Sequence, residues 1–228
     1  MKIAFLGDSI TLGYGLEDFS ARFSTLICRK LGCDELNFGI TGTLMAQAGL
    51  NHTNRKDFVS RLPLISEAEV AVIFGGTNDY FWSDRPINPP EFALNEGKSQ
   101  SLEFFSNAME AICTFCQKER TNGKTLFVTP YPHHGIGNYL GGADSMKSSE
   151  HDTSELNFNG QTLQDYVDEI EHCAQKAGFP VLNLHRVKGF DWRLHTLDGC
   201  HPNPLGHQWL ADRILMALAE LGIGINVF

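Results

Sequence analysis

Short apolar runs that alternate with amphipathic stretches predict an α/β protein, in which helices cover both faces of a parallel sheet. The chain has 228 residues, of which 42% are hydrophobic and 20% are charged. This composition is typical of a folded protein with a sizeable buried core. Neither an internal repeat nor a linker-like segment divides the sequence, so we expect a single domain over residues 1–228.

Five apolar runs have the branched and aromatic side chains of buried strands, and each ends near glycine, asparagine or proline. These runs are Lys2–Leu6, Glu35–Phe38, Val70–Phe74, Thr125–Val128 and Val181–Leu184. Their short length favours strands over helices.

Apolar residues at helical spacing predict four helices between and after these strands. The helical stretches are Phe19–Leu31, Leu102–Cys116, Leu163–Ala174 and Leu210–Leu221. A shorter helix, broken by Pro63, is predicted within Asp57–Ile65. Two long irregular segments, at about Thr77–Gln100 and Pro130–Gly160, interrupt the pattern and are typical of functional or mobile loops.

The charge of the chain argues against two classes of partner. With 18 basic and 27 acidic residues the formal net charge is −9, which does not attract nucleic acid or an anionic membrane surface. The sequence has no apolar run of the length that predicts a membrane span. The opening residues lack the apolar stretch of a signal peptide, so we expect a cytoplasmic protein whose six cysteines are reduced.

Glycine-rich and polar segments follow four of the predicted strands at their carboxyl ends, where open parallel sheets bind ligands. These segments are Gly7–Ile10, Gly39–Gly42, Gly75–Asp79 and Asp198–Pro202. Residues that are far apart in the sequence are therefore expected to meet at one edge of the sheet.

Three residues in these segments have the chemistry of nucleophilic catalysis. A serine hydroxyl such as that of Ser9 is a weak nucleophile until a base removes its proton. His201 is a candidate for that base. Asp198, three residues earlier, is close enough to bind the other imidazole nitrogen and orient the ring. The candidate catalytic residues are therefore Ser9, Asp198 and His201.

Attack by such a serine produces a tetrahedral intermediate, whose oxyanion needs hydrogen-bond donors. The candidates are the backbone N–H groups of Ser9 and Gly42 and the side-chain amide of Asn78. Gly42 lets the backbone approach the substrate closely, and Asn78 is a neutral donor. Such a reaction requires neither a metal nor an organic cofactor, so we expect none.

The same segments resemble the sequence blocks of the GDSL/SGNH hydrolase family. The similar residues are Gly7-Asp8-Ser9, Asn37-x-Gly39-x-x-Gly42, Gly76-x-Asn78-Asp79 and Asp198-x-x-His201-Pro202, which span residues 7–202 in the family's order. The resemblance implies a flavodoxin-like three-layer α/β/α sandwich whose five-stranded parallel sheet has the order 2-1-3-4-5. The sequence lacks the Gly-x-Ser-x-Gly elbow of ordinary α/β-hydrolases, which agrees with this resemblance.

The resemblance also implies an activity, the hydrolysis of a small-molecule ester by a serine through an acyl-enzyme intermediate. Members of the family deacylate short esters, lipids, thioesters and O-acetylated sugars. We expect a short-chain acyl ester or an O-acetyl carbohydrate ester as the substrate. The sequence does not predict the oligomeric state.

Each candidate residue taken alone also has a structural interpretation. Ser9, which follows Asp8, could cap a helix, and His201 could lie in a surface loop. Gly42 could serve only a tight turn, and Asn78 could form an Asx turn. Asp8 is expected to be a structural hydrogen-bonding residue rather than a second catalytic acid. A different class of function is a flavodoxin-like small-molecule or phosphate-binding module without catalysis, in which the turn after the first strand cradles a phosphate.

Three further groups of residues have open interpretations. Tyr80-Phe81-Trp82 either wall the substrate pocket or pack onto a core beneath their own loop. His133-His134 follow the fourth strand and either contact substrate or a metal, or belong to a polar loop. Cys113 and Cys116 fall on the apolar stripe of a helix and are expected in the core, and Cys200 is expected to pack rather than react.

Overall fold

The structure is a computed structural model that describes residues 1–46, 57–82, 102–133, 156–157 and 160–224. Within these ranges a parallel sheet has five strands in the order β2-β1-β3-β4-β5. The strands are β1 (Lys2–Gly7), β2 (Asp34–Gly39), β3 (Val70–Phe74), β4 (Lys124–Val128) and β5 (Val181–Leu182). The predicted fold class and strand order are therefore confirmed.

Helices connect the strands and lie on both faces of the sheet. They are α1 (Ser9–Leu12), α2 (Phe23–Leu31), α3 (Phe58–Arg61), α4 (Thr77–Trp82), α5 (Leu102–Glu119), α6 (Leu163–Lys176), α7 (Trp192–His195) and α8 (Pro204–Glu220). Short 3-10 helices span Phe19–Ala21 and Leu62–Ile65. Among the described residues, none of the helices combines the length and apolar character that crossing a bilayer requires.

Side chains alternate between two cores along each central strand, because successive residues of a strand point to opposite faces. On β1, Ala4 and Leu6 join a core with α5 and α6, whereas Ile3 and Phe5 join a second core with α2 and α8. Burial on both faces explains why these strands are apolar along their whole length.

Two predicted elements differ from the structure. The helix predicted over Phe19–Leu31 is interrupted at Arg22, whose extended backbone separates a 3-10 turn from α2. The Arg22 side chain binds the Leu12 carbonyl and the Glu35 carboxylate, which holds this break in place. The segment predicted to be irregular from Thr77 begins instead with α4, and residues 83–100 of that segment lie outside the described ranges.

The sheet brings the carboxyl ends of its first three strands level with one another. Gly7, the last residue of β1, pairs with Gly39 of β2 on one side and with Phe74 of β3 on the other. The segments after these strands therefore emerge side by side, which is the placement that the sequence predicted for the candidate site.

Candidate active site

Ser9 is the first residue of α1, directly after the turn that ends β1. Asp8 caps this helix, since its carboxylate accepts a 2.9 Å hydrogen bond from the Ile10 N–H. The helix also lies against the end of β2, where a Cβ on Gly39 would fall 2.2 Å from the Leu12 backbone nitrogen. Only glycine permits this close approach, which fixes α1 and Ser9 against the sheet.

Ser9, His201 and Asp198 form a continuous chain of contacts. The Nε2 atom of His201 lies 3.0 Å from the Oγ of Ser9, and its Nδ1 atom lies 2.7 Å from the Oδ2 of Asp198. The other carboxylate oxygen of Asp198 accepts the backbone N–H groups of His201 and Cys200, at 2.7 and 3.0 Å. The structure thus brings together three predicted residues from opposite ends of the chain.

The segment that carries Asp198 and His201 is held at both of its ends. The Leu197 N–H donates to the His201 carbonyl at 2.8 Å, which closes a tight loop. From the segment that follows β4, the buried hydroxyl of Tyr131 donates a 2.7 Å hydrogen bond to the Cys200 carbonyl. Because the carbonyls of His201 and of the preceding Cys200 are both bonded, the backbone at His201 is fixed and its imidazole is well positioned beside Ser9.

The surroundings of Asp198 favour its ionised form. Burial alone would raise the pKa of this carboxyl group, but the hydrogen bond and charge of His201 and two backbone N–H groups outweigh it. The net result is a pKa below the usual value for aspartate. An ionised Asp198 keeps a proton on Nδ1 of His201 and leaves Nε2 as an acceptor toward Ser9.

Asn78 and Gly42 lie next to this chain of contacts, on the β3 and β2 sides. The Asn78 amide donates to the Thr43 carbonyl at 3.1 Å and to the Asp8 carboxylate at 3.4 Å. Gly42, directly before Thr43, has a φ of 69°, a left-handed conformation that side chains disfavour. The Asn78 side chain therefore lies beside the turn that carries Ser9, and Gly42 directly precedes Thr43, the residue that Asn78 binds.

Two buried carboxyl groups flank Asn78. Asp79 accepts the backbone N–H groups of Met45 and Ala46 at 3.0 and 2.9 Å, and so ties the segment after Thr43 to α4. Burial raises the pKa of Asp8 to about 6 and that of Asp79 to about 7. Asp8 thus has the structural role expected from the sequence, since it caps α1 and contacts Asn78.

The other predicted residues fall mostly in the core. Tyr80 is buried and Phe81 packs against the same core, which agrees with the structural interpretation of the aromatic run. The prediction for the Trp82 side chain lies outside what the structure describes. Cys113, Cys116 and Cys200 are buried, as predicted.

His133 is also buried, and its ring lies 5.1 Å from that of Phe81 and 5.9 Å from that of Tyr131. Its neighbour His134 lies outside the described residues. Among the residues that the structure does describe, no three His, Cys, Asp or Glu side chains are arranged to hold a metal ion.

Three residues at the site were not found from the sequence: Tyr14, Arg61 and Tyr131. The ring of Tyr14 packs on that of His201, and Tyr131 binds the backbone directly before His201. Arg61 donates a hydrogen bond to the Thr43 hydroxyl. Tyr14 stands between Gly13 and Gly15, and this glycine pair after the nucleophile turn is the one local signal. Arg61 has no local signal, because the partners that connect it to the site, Gly7, Phe38 and Thr43, lie 18 to 54 residues away in sequence.

Residues 5–209 match the GDSL-like lipase/acylhydrolase family. The match covers most of the chain and includes every residue of the site described above. The fold and the match together define an ester hydrolase, and the chain belongs to the GDSL-like lipase/acylhydrolase family. No curated protein matches the sequence.

Solved structures share the fold over nearly the whole chain. A protein from Lactobacillus plantarum is 23% identical, with a TM-score of 0.73 over 96% of each chain. The acetyl xylan esterase AlAXEase is 21% identical, with a TM-score of 0.63 over 96% of this chain and 100% of that one. Est24, a carbohydrate acetylesterase from Sinorhizobium meliloti, is 15% identical, with a TM-score of 0.66 over 96% and 99%. At these identities the likeness establishes the fold.

Proposed function

We propose that this chain is a serine esterase in which Ser9 is the nucleophile, His201 the general base and Asp198 the residue that orients His201. The observation that carries the proposal is the unbroken contact from the Ser9 hydroxyl through the imidazole to the Asp198 carboxylate, at 3.0 and 2.7 Å. These are the distances that proton transfer from a serine requires.

In the first half of the reaction, Ser9 Oγ attacks the ester carbonyl carbon while Nε2 of His201 takes the hydroxyl proton. The carbonyl oxygen becomes an oxyanion, for which the N–H groups of Ser9 and Gly42 and the Asn78 amide are the proposed donors. The C–O bond to the alcohol then breaks, and the alcohol leaves with the proton held by His201. The product of this half is an acyl-enzyme on Ser9.

In the second half, water replaces the alcohol. His201 removes a proton from water, the hydroxide attacks the acyl carbonyl, and a second oxyanion forms in the same place. Collapse of this intermediate breaks the bond to Ser9 Oγ, which recovers its proton from His201. The acid is released and the free enzyme is restored, so atoms and protons balance over the cycle.

For the substrate we propose an O-acetyl carbohydrate ester or another short-chain acyl ester. Support comes from two proteins of the same fold that are named for deacetylation of carbohydrates, the acetyl xylan esterase and the carbohydrate acetylesterase. The ring of Tyr14 beside His201 adds a physical reason, because aromatic rings bind the apolar faces of sugars.

A phosphate-binding module is less consistent with the geometry. In such a module the anion would lie at the N–H groups that open the helix after β1. Here the carboxylate of Asp8 occupies that position and accepts the Ile10 N–H. A carboxylate there opposes a second anion, even with the pKa of Asp8 raised to about 6, because it is ionised at neutral pH.

The test combines turnover with labelling. Purified chain is assayed with p-nitrophenyl acetate and treated with a serine-reactive phosphonate, and the labelled residue is located by peptide mass spectrometry. We expect turnover, modification at Ser9, and loss of both in Ser9→Ala with an unchanged unfolding midpoint. A Ser9→Ala variant that retained full turnover would refute the proposed nucleophile. A panel of acyl lengths and acetylated sugars then tests the proposed substrate class.

A further inference from the structure

Arg61, the last residue of α3, is a fully buried cation beneath the candidate site, with 1% of its surface exposed. Its guanidinium donates to the carbonyls of Asp57 and Gly7, at 3.2 and 3.1 Å, and to the carbonyl of Phe38. It also donates to the Thr43 hydroxyl at 2.9 Å. One side chain is therefore bonded to four segments of the chain.

Three of those segments lead into the site. Gly7 ends β1 and precedes the turn that carries Ser9, and Phe38 lies at the end of β2, on the path to Gly42. Thr43 follows Gly42, and its carbonyl in turn accepts the hydrogen bond from the Asn78 amide. Every proposed oxyanion donor thus lies within two residues of a partner of Arg61 in sequence or is bonded to one.

Burying the guanidinium charge of Arg61 costs free energy, which an apolar side chain in the same place would not. Burial lowers the pKa of Arg61 to about 10, although the charges of Asp8 and Asp57 oppose that shift. At neutral pH the guanidinium therefore remains protonated, inside a region where an isolated charge is unfavourable. A cation in this position would attract a negative charge that forms nearby, and it would therefore stabilise the oxyanion of the transition state.

We propose that Arg61 is a positioning residue for the oxyanion site: it fixes the Gly42–Thr43 segment and the Asn78 amide relative to Ser9, and places a positive charge behind these donors. This inference rests on the proposed esterase function. Asp79 completes the arrangement from the other side, since it binds the N–H groups of Met45 and Ala46. The segment after Gly42 is thus held at Thr43 by a cation, and two and three residues later by a carboxyl group.

The chain contains a matched control for Arg61. Arg120 is likewise buried, at 4% exposure, and it donates to the carbonyls of Ile65, Ala68 and Lys124 and to the Thr125 hydroxyl. Both arginines thus bond three carbonyls and one threonine hydroxyl. Arg120, however, lies at the amino ends of β3 and β4, whereas Ser9 follows the carboxyl end of β1.

The experiment compares Arg61→Met with Arg120→Met in the full chain, with p-nitrophenyl acetate as the substrate. Both changes should lower the unfolding midpoint, because each removes a satisfied buried donor from several carbonyls. Only Arg61→Met should lower kcat, by about 100-fold, the effect of a small displacement of catalytic groups, while KM changes by less than about twofold. Arg61→Lys, which keeps the charge, should recover part of the lost kcat.

Other outcomes have distinct meanings. Equal kcat values in the two Met variants, or a change confined to KM, would overturn the role of Arg61 while leaving the esterase proposal intact. If Arg61→Met does not fold, Arg61→Lys is compared with Arg120→Lys, and equal kcat values in that pair overturn the role as well. A wild-type chain without turnover, or an active Ser9→Ala, would instead overturn the proposed function itself.

Discussion

The ring of Tyr14 lies against the imidazole of His201, with ring centroids 4.7 Å apart and planes inclined by 44°. Tyr14 is half-buried and its backbone N–H is bonded to the Ser9 carbonyl at 2.9 Å, so the ring has a fixed place beside the nucleophile turn. In the proposed reaction His201 passes its proton to the departing alcohol. We therefore expect the departing alcohol to lie near the ring of Tyr14.

Replacing Tyr14 by alanine should lower kcat/KM by about fivefold for an acetylated sugar, which corresponds to about 1 kcal/mol of lost aromatic contact. Tyr14→Phe keeps the ring and should retain most of the rate. The measurement compares both variants on an acetylated sugar and on p-nitrophenyl acetate. If Tyr14→Ala had the same kcat/KM as the wild type on both esters, Tyr14 would not contact the leaving alcohol.

Asn78→Ala should lower kcat by about 10²–10³-fold with little change in KM, because an oxyanion donor acts mainly in the transition state. The same change also removes the bonds to Thr43 and Asp8, so its unfolding midpoint must be measured in parallel. Thr77, the preceding residue of α4, provides a neighbouring control as Thr77→Ser. A large loss of kcat in the control, or none in Asn78→Ala, would place the main donor elsewhere.

The sequence predicted those parts of the molecule that depend on local pattern. Apolar runs located all five strands within a few residues, since each central strand is buried on both faces. Strand β5 is shorter than predicted and ends at Leu182, because it lies at the sheet edge and Asn183 begins a turn there. Phe19 was predicted in the apolar stripe of a helix but is 51% exposed, because the extended backbone of Arg22 separates it from α2.

The candidate site was predictable to the extent that its residues lie in short segments after strands. Ser9, Asp198 and His201 were found in this way, and the structure places them in contact; their catalytic roles remain proposals. Arg61 could not be found, because its function depends on contacts with carbonyls up to 54 residues away in sequence. A backbone carbonyl has no signature in the amino-acid sequence, so its partner has none either.

Asp79→Asn should change how stability depends on pH. Burial, with a smaller contribution from the charge of Asp8, raises the pKa of Asp79 to about 7 in the folded state, from an ordinary value of 3.8. The folded protein therefore holds a proton that the unfolded chain has lost, and the stability from Asp79 declines as pH rises from about 4 to 7. The asparagine side chain does not titrate. The free energy of unfolding of the wild type should therefore fall relative to that of the variant as the pH rises across this range.

Urea unfolding of both proteins at pH 5 and pH 8 measures this difference. The wild type should be the more stable at pH 5, because the Met45 and Ala46 N–H groups bond different oxygens of Asp79, and the NH2 group that replaces one of these oxygens in asparagine cannot accept a hydrogen bond. The difference in free energy of unfolding between the two proteins, or gap, should be smaller at pH 8. A gap that widened with pH would show that Asp79 is stabilised in its ionised form.

His207 should produce a pH dependence of the opposite sign. It is fully buried on α8, its Nδ1 accepts the Phe23 N–H at 3.3 Å, and its ring stacks on Phe23. Burial, followed by the charges of Arg22 and His201, lowers its pKa to about 3 from an ordinary 6.5. Below pH 6.5 the unfolded chain therefore binds a proton on His207, whereas the folded protein leaves this residue neutral. Stability is lost as pH falls, by up to about 1.4 kcal/mol per pH unit.

His207→Asn tests this, because a carboxamide oxygen can replace Nδ1 as the acceptor for Phe23 without titrating. The variant should be less stable than the wild type at pH 7, where it lacks the stacked ring, yet its stability should fall less steeply between pH 6 and 4. Exposed His172 on α6 supplies the control, and His172→Asn should leave the slope unchanged. Parallel slopes in wild type and His207→Asn would mean that the acid sensitivity of the fold arises at another group.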